Sequence, residues 1–453
     1  MSETRALAEF ASGLRFQDLP ADVVEQACRV IVDTVGCCLS AWTEDPAKAR
    51  LAQEIAALYP LAGGASIIGR DDIAAQPAFA ALANGILANA ADNDDTHKVA
   101  LLHTGSVVVP TALALAQAHG LSGKDLITAL VAGYEVAVRV GMAVMPTHYR
   151  FWHSTATNGT FGGAATAARA LGLDADATRR TIGLAGTQAA GLNTFFESGD
   201  MTKSIHPGKA AFNGILSAQL AARGATSPPE ILEHPKGYLA AFSLEPKRAA
   251  LTAGLGTKWE IRENGFKYFP SILASHSPIQ ATLAIVRRQA VDPRRIRRIT
   301  NETYNTVATH FSNKDVRGVM SARVSVPYCI AIAAIDRELT QRQFTLARTE
   351  DPLVRAVLTK TDVVPDAELN KLYPVKFPAR ITIELDDGTR LTETVMFPKG
   401  DPQDPLTRAE LDAKYHENAA GYLGAERAGR LLAAMYALPD ARDTGALTGL
   451  LHR

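Results

Sequence analysis

Apolar residues recur at helical spacing through the first half of the chain. In residues 21–39, Val23, Val24, Ala27, Val30, Ile31 and Val35 share one helical face. The same spacing predicts helices over residues 75–91, 106–118, 124–145, 155–171, 175–190 and 209–223. Gly120, Pro146, Gly172 and Pro207 punctuate the gaps. The pattern changes after about residue 255. Residues 295–304 (RIRRITNETY) alternate and predict a strand. Residues 380–385 and 390–397 flank Asp386-Asp387-Gly388 and predict a β-hairpin. Residues 401–405 read as a linker, and helical spacing returns over 407–417 and 425–436. The expected fold is mainly α. A large all-helical domain is built from residues 1–255 plus 400–453, with a smaller α+β lid domain inserted at 256–399.

Charge narrows the function classes. Lys plus Arg and Asp plus Glu each number 47, so no net field points to nucleic acid or to an anionic membrane surface. Residues 126–145 are apolar and long enough to span a bilayer, but Glu135 and Arg139 sit mid-segment, four apart. A buried helix is the expectation, and no membrane association. Cys28, Cys37, Cys38 and Cys329 make neither a CxxC nor a zinc spacing, which fits reduced thiols in a cytoplasmic protein. The N-terminal stretch has no basic region followed by an apolar core, so no signal peptide is expected.

Candidate chemistry gathers in four patches. Asp92, Asp94 and Asp95 end an apolar helix, and His97 and His103 follow. Burying an unpaired carboxylate is costly, so such a cluster binds cations, moves protons or is a solvated helix end. His153 precedes a helix of small residues. Lys203, His206 and Lys209 occupy a stretch bounded by Gly199 and Pro207-Gly208, expected as a loop before a helix starting near Lys209. Lys267, Tyr268 and His276 form the fourth patch. Each has a plainer reading: a helix cap, a snorkelling lysine or a solvated loop. Yet of 11 histidines, His97, His103, His153, His206 and His276 all fall in these patches. Lys and His at loop–helix junctions suit a ligand with several carboxylates. Chemistry beside a carboxylate needs a base for the proton and cations for the enediolate. The aspartates resemble half of a magnesium-binding Asp box, but no second acidic box faces them, so no metal is expected. Gly159-Thr160-Phe161-Gly162-Gly163 lacks the GxGxxG spacing, and there is no GxSxG or P-loop.

The run N-G-I-L-A-N-A-A-D-N-D-D-T-H at residues 84–97 resembles the signature of the MmgE/PrpD family, which includes 2-methylcitrate dehydratase, cis-aconitate decarboxylase and iminodisuccinate epimerase. His103-Thr104-Gly105, Gly133-Tyr134-Glu135-Val136 with Arg139, and Trp152-His153-Ser154-Thr155 are similar to the next family blocks. Met201-Thr202-Lys203-Ser204-Ile205-His206-Pro207-Gly208-Lys209 with Asn213-Gly214 is the most specific match. Lys267, Tyr268, Pro270 and His276, then Ser325 and Tyr328, resemble later blocks. The resemblance implies a helical domain with an α+β lid in a homodimer, and a cofactor-free site for small di- or tricarboxylic acids. It implies catalytic roles for Asp92, His103, His153, Lys203, Lys267 and Tyr328, and substrate contacts for Thr96, His206 and His276. Asn89 stands where the family usually has His, Asn93 where it has Phe, and Thr104 where it has Pro.

The expected reaction is loss of water from a hydroxy-polycarboxylate, as in 2-methylcitrate dehydratase, through a carbanion beside a carboxylate. An epimerase of a substituted succinate and a decarboxylase of the cis-aconitate type share that intermediate and remain alternatives. A non-catalytic carboxylate-binding protein would need only the cations, not the Asp, His and Tyr groups as well.

Overall fold

A computed structural model describes residues 2–198 and 200–452. The chain divides into two compact units, residues 1–265 with 407–453, and residues 266–406. The first division falls later than the change in sequence texture because β3 (Thr96–His97) pairs with β4 (Asn264–Gly265) and keeps that segment in the first unit.

The first unit is helical. Its elements are α1 (Glu3–Gly13), α2 (Ala21–Glu44), α3 (Pro46–Ala57), α4 (Pro77–Asn89), α5 (Gly105–His119), α6 (Gly123–Val144), α7 (Ser154–Ala170), α8 (Ala175–Gly186), α9 (Phe195–Ser198) and α10 (Thr202–Ala222). Helices Tyr238–Phe242, Arg408–Leu423, Ala425–Tyr436 and Gly445–Thr448 also belong to it. A short hairpin of β1 (Pro60–Ser66) and β2 (Ala74–Ala75) lies between α3 and α4. Helix α6 is long and apolar enough to cross a membrane, but its apolar window is 94% buried inside the protein. Glu135 and Arg139 pair within it at 3.3 Å. Arg139 also donates to the carbonyls of Ala253 and Lys258 at 2.6 and 2.8 Å. A fully buried charge needs such partners.

Small residues set the helix spacing. A Cβ on Gly208 of α10 would lie 2.1 Å from the Leu82 carbonyl oxygen of α4. One on Gly214 would lie 2.3 Å from the Gly163 carbonyl carbon of α7. Helix α10 therefore fits against both neighbours only with glycine at these points.

Helix α10 corrects one expectation. Lys203 and His206 lie in the helix, which begins at Thr202, and not in a loop ahead of Lys209. Pro207 sits inside the helix near its start, where a missing amide hydrogen removes one ladder bond without ending the helix.

The second unit carries a four-stranded sheet in the order β6 (Thr361–Pro365), β5 (Ile296–Thr303), β7 (Ala379–Leu385), β8 (Arg390–Val395). The β5–β6 pair is parallel and the others antiparallel. Along β7, Ala379, Ile381, Ile383 and Leu385 are buried and alternate with half-buried residues, so one face packs on helix His276–Arg288.

Candidate active site

The acidic turn after α4 is buried. Asp92, Asp94 and Asp95 expose 1%, 0% and 0% of their surface, so the solvated-end reading fails. Each carboxylate has a different partner. Lys203 reaches Asp92 Oδ1 at 2.5 Å from the second position of α10. Asn89 Nδ2 lies 2.9 and 2.8 Å from the two oxygens of Asp94. Asp95 accepts the Gly105 amide at 2.9 and 3.1 Å, so it closes the N-terminus of α5 from ten residues upstream. Burial pushes the Asp95 carboxyl well up from its usual range, and Asp33 and Asp94 push it further. Asp92 takes the left-handed backbone region, φ 54°, which Asp tolerates better than most residues.

His103 faces this turn. Its Nδ1 lies 2.8 Å from the Asp95 carbonyl oxygen, 3.1 Å from Thr96 Oγ1 and 3.6 Å from Asp94 Oδ2. A carbonyl oxygen only accepts, so Nδ1 carries the hydrogen and Nε2 keeps its lone pair in the neutral ring. The His103 amide donates to Thr155 Oγ1 at 3.2 Å, tying it to the start of α7. The β3–β4 pairing fixes Thr96.

His153, just ahead of α7, stands with its ring centroid 6.3 Å from that of His103. Its Nδ1 lies 2.9 Å from Nδ1 of His206, and the ring edge meets Phe195. One nitrogen must donate and the other accept, so the two tautomers are coupled. Burial lowers the His153 pKa well below its usual value, and His206 adds to this. Burial also lowers that of His206 from 6.5 to about 4.

Asp92, Thr96, His103, His153, Lys203 and His206 thus meet in one buried cluster of the first unit. Lys267, His276 and Tyr328 belong to the second unit. There the Tyr328 hydroxyl donates to the Gln343 carbonyl at 2.7 Å, and His276 Nε2 lies 3.3 Å from the Ser271 carbonyl. Lys267 is 3% exposed. The sequence reading missed Asn89 as the partner of Asp94, and it missed buried Asp33, Lys48 and Lys414 behind the turn. Only the departure of Asn89 from the family pattern signalled any of them.

Ligand atoms of Asp92, Asp94 and His103 lie within 4.8 Å of one another, a spacing that one small cation could bridge. Asp92 already meets the Lys203 ammonium, and Asp95 is turned to Gly105. We expect activity to survive exhaustive EDTA treatment. Activity lost with EDTA and restored by magnesium would contradict this.

Stability should fall in mild acid. His206 and His148 have folded values near 4, each lowered first by burial, against 6.5 for the ordinary ring. Between those values the unfolded chain binds protons that the folded chain does not, so stability drops as pH falls through this window. Glu135, raised by burial to about 7 from 4.5, and Asp95, also raised by burial, act in the opposite sense. His206→Asn, which keeps an amide near Nδ1, should lose less stability than the parent on going from pH 6.5 to 4. Equal losses in urea midpoints would contradict the assignment.

Sequence comparison agrees with this architecture. Residues 5–250 match the MmgE/PrpD N-terminal domain and residues 269–438 the MmgE/PrpD C-terminal domain. The chain is 29% identical to a cis-aconitate decarboxylase-like protein, oryM, of Aspergillus oryzae, over 99% of this chain and 97% of that one. It is 28% identical to the cis-aconitate decarboxylase of Aspergillus terreus, covering 99% and 96% of the two chains. It is 28% identical to that of Homo sapiens, covering 99% and 94%. With both family domains matched in order along nearly its whole length, the chain belongs to the MmgE/PrpD family.

Proposed function

We propose that this protein is a lyase that acts on a small polycarboxylic acid through a carbanion beside a carboxylate, with decarboxylation of a cis-aconitate-like acid as its reaction. The observation that carries the reading is the Lys203–Asp92 pair packed in one buried cluster with His103 and His153. It combines a cation for an anionic substrate with groups that move protons. Full-length similarity to cis-aconitate decarboxylases moves the first choice from loss of water to loss of carbon dioxide.

In the proposed reaction the bond from carbon to the departing carboxylate breaks. Its electron pair forms a new double bond, and the old double-bond pair moves to the carbon beside a retained carboxylate. The enediolate so formed is held by the Lys203 ammonium. Carbon dioxide leaves, and a proton taken up from solvent on Nε2 of His103, in the imidazolium form with Nδ1–H still on the Asp95 carbonyl, is delivered to that carbon, which leaves the ring neutral. Within the cluster, His103 Nδ1 is engaged with the Asp95 carbonyl, so Nε2 is the nitrogen that exchanges the proton.

Dehydration of a hydroxy-polycarboxylate is the second reading. The His153–His206 bridge favours it, because an imidazole with a coupled tautomer can protonate a departing hydroxyl. The test is a panel of di- and tricarboxylates, including cis-aconitate and 2-methylcitrate, assayed for carbon dioxide release and for water loss. Carbon dioxide from cis-aconitate supports the first reading, and water loss without it supports the second. Neither product from any acid in the panel defeats both.

A further inference from the structure

Behind the acidic turn lies a second set of buried charges that the proposed chemistry does not touch. Lys414, on helix Arg408–Leu423, is 8% exposed. Its ammonium donates to Asp33 Oδ1 of α2 at 2.6 Å and to the Asn93 carbonyl at 2.7 Å. Asn93 is the residue between Asp92 and Asp94. Ahead of the turn in sequence, Lys48 of α3 donates to the Ala90 carbonyl at 2.8 Å, and Ser204 of α10 donates to the Asn89 carbonyl. Two buried lysines therefore hold the backbone that Asp92 interrupts with a positive φ.

We propose that Lys414 is a positioning residue for the active site: through the Asn93 carbonyl it fixes the turn that aims Asp92 at Lys203 and presents the Asp95 carbonyl to His103. A plain structural role would be to pin the C-terminal helix to α2 through Asp33. The bond to Asn93 goes beyond that role, because it orients the peptide joining Asn93 to Asp94, which lies between Asp92, the partner of Lys203, and Asp95, whose carbonyl holds His103. Burial works to discharge the Lys414 ammonium; Asp33 of α2 and Asp94 of the turn outweigh it and hold the charge. A charged donor on a carbonyl is stronger than a neutral one. Displacing catalytic groups by about 1 Å costs on the order of a hundredfold in rate, so a fixed turn is worth having.

The catalytic arm of the test rests on the proposed function; the spectroscopic arm does not. Lys414→Met removes the donor and leaves Asp33 buried beside it. Lys414→Met with Asp33→Asn removes the charge pair but still lacks the grip on Asn93. Both are compared with the parent on cis-aconitate, and in ring-nitrogen-15 histidine spectra in which the His103 signal is identified by its loss in His103→Gln. The proposal expects kcat to fall about tenfold or more in both folded variants. KM changes less, the His103 signal moves, and the double variant recovers thermal stability without recovering rate. An unchanged kcat or an unmoved His103 signal in a folded variant overturns the proposal. So does recovery of both in the double variant, which would reduce Lys414 to a counter-charge. If neither variant folds, Lys414 is a folding residue and the proposal falls. A parent inactive on cis-aconitate counts against the function alone, and the His103 signal then decides.

Discussion

His103→Gln should lower kcat by about 10²–10⁴-fold while the far-ultraviolet circular dichroism stays that of the parent. In the proposed reaction the His103 ring transfers the proton through Nε2, because Nδ1 is engaged with the Asp95 carbonyl. Glutamine fills similar space and retains a hydrogen-bonding group, but it does not titrate. The loss should therefore fall on kcat more than on KM, because proton transfer occurs in the transition state and not in substrate binding. Steady-state kinetics on the true substrate provides the check. A folded variant with parental turnover would remove His103 from the acid–base role and leave Asp92 or His153 to fill it.

Lys203→Ala should cost about 10²–10³-fold in kcat, the scale seen when a positioned charge-stabilising donor is removed. Part of the damage should also appear in stability, because Asp92 keeps its buried position after its cation is gone. Breaking a buried ion pair from one side costs about 3–5 kcal/mol. The two effects separate in Lys203→Ala combined with Asp92→Asn. Neutralising Asp92 should restore much of the melting temperature without restoring turnover. If the double variant regained activity, Lys203 would be a structural counter-ion to Asp92 and not the group that holds the enediolate.

The sequence exposed the helices whose apolar faces are periodic. Helices α2, α4, α5, α6 and α7 lie within a few residues of where apolar spacing places them, and so do β5 and the β7–β8 hairpin. Helix α10 was misplaced because Pro207 and Gly208 read as punctuation. In the folded chain Pro207 is tolerated near a helix start, and Gly208 is the point of contact with α4. The histidines, Asp92 and Lys203 were legible because titratable side chains recur in short patches and match family blocks. The groups behind them were not. Lys48 and Lys414 sit on helices where a charged residue ordinarily faces water, and no local pattern tells that their ammonium groups turn inward to backbone carbonyls. Nor does spacing reveal that Asp95 closes α5 while Asp92, three residues earlier, meets α10. Those pairings depend on packing between helices far apart in sequence.

The central claim is that this cluster creates a carbanion beside a carboxylate and adds a solvent-derived proton to it. Its most direct test is turnover of cis-aconitate in deuterated water, with products followed by proton and carbon-13 nuclear magnetic resonance. The account predicts release of carbon dioxide and an unsaturated dicarboxylate carrying one solvent deuterium on the carbon next to a retained carboxylate, with both lost in Lys203→Ala. Product formed without solvent deuterium, or formed at the parental rate by folded Lys203→Ala, would contradict it.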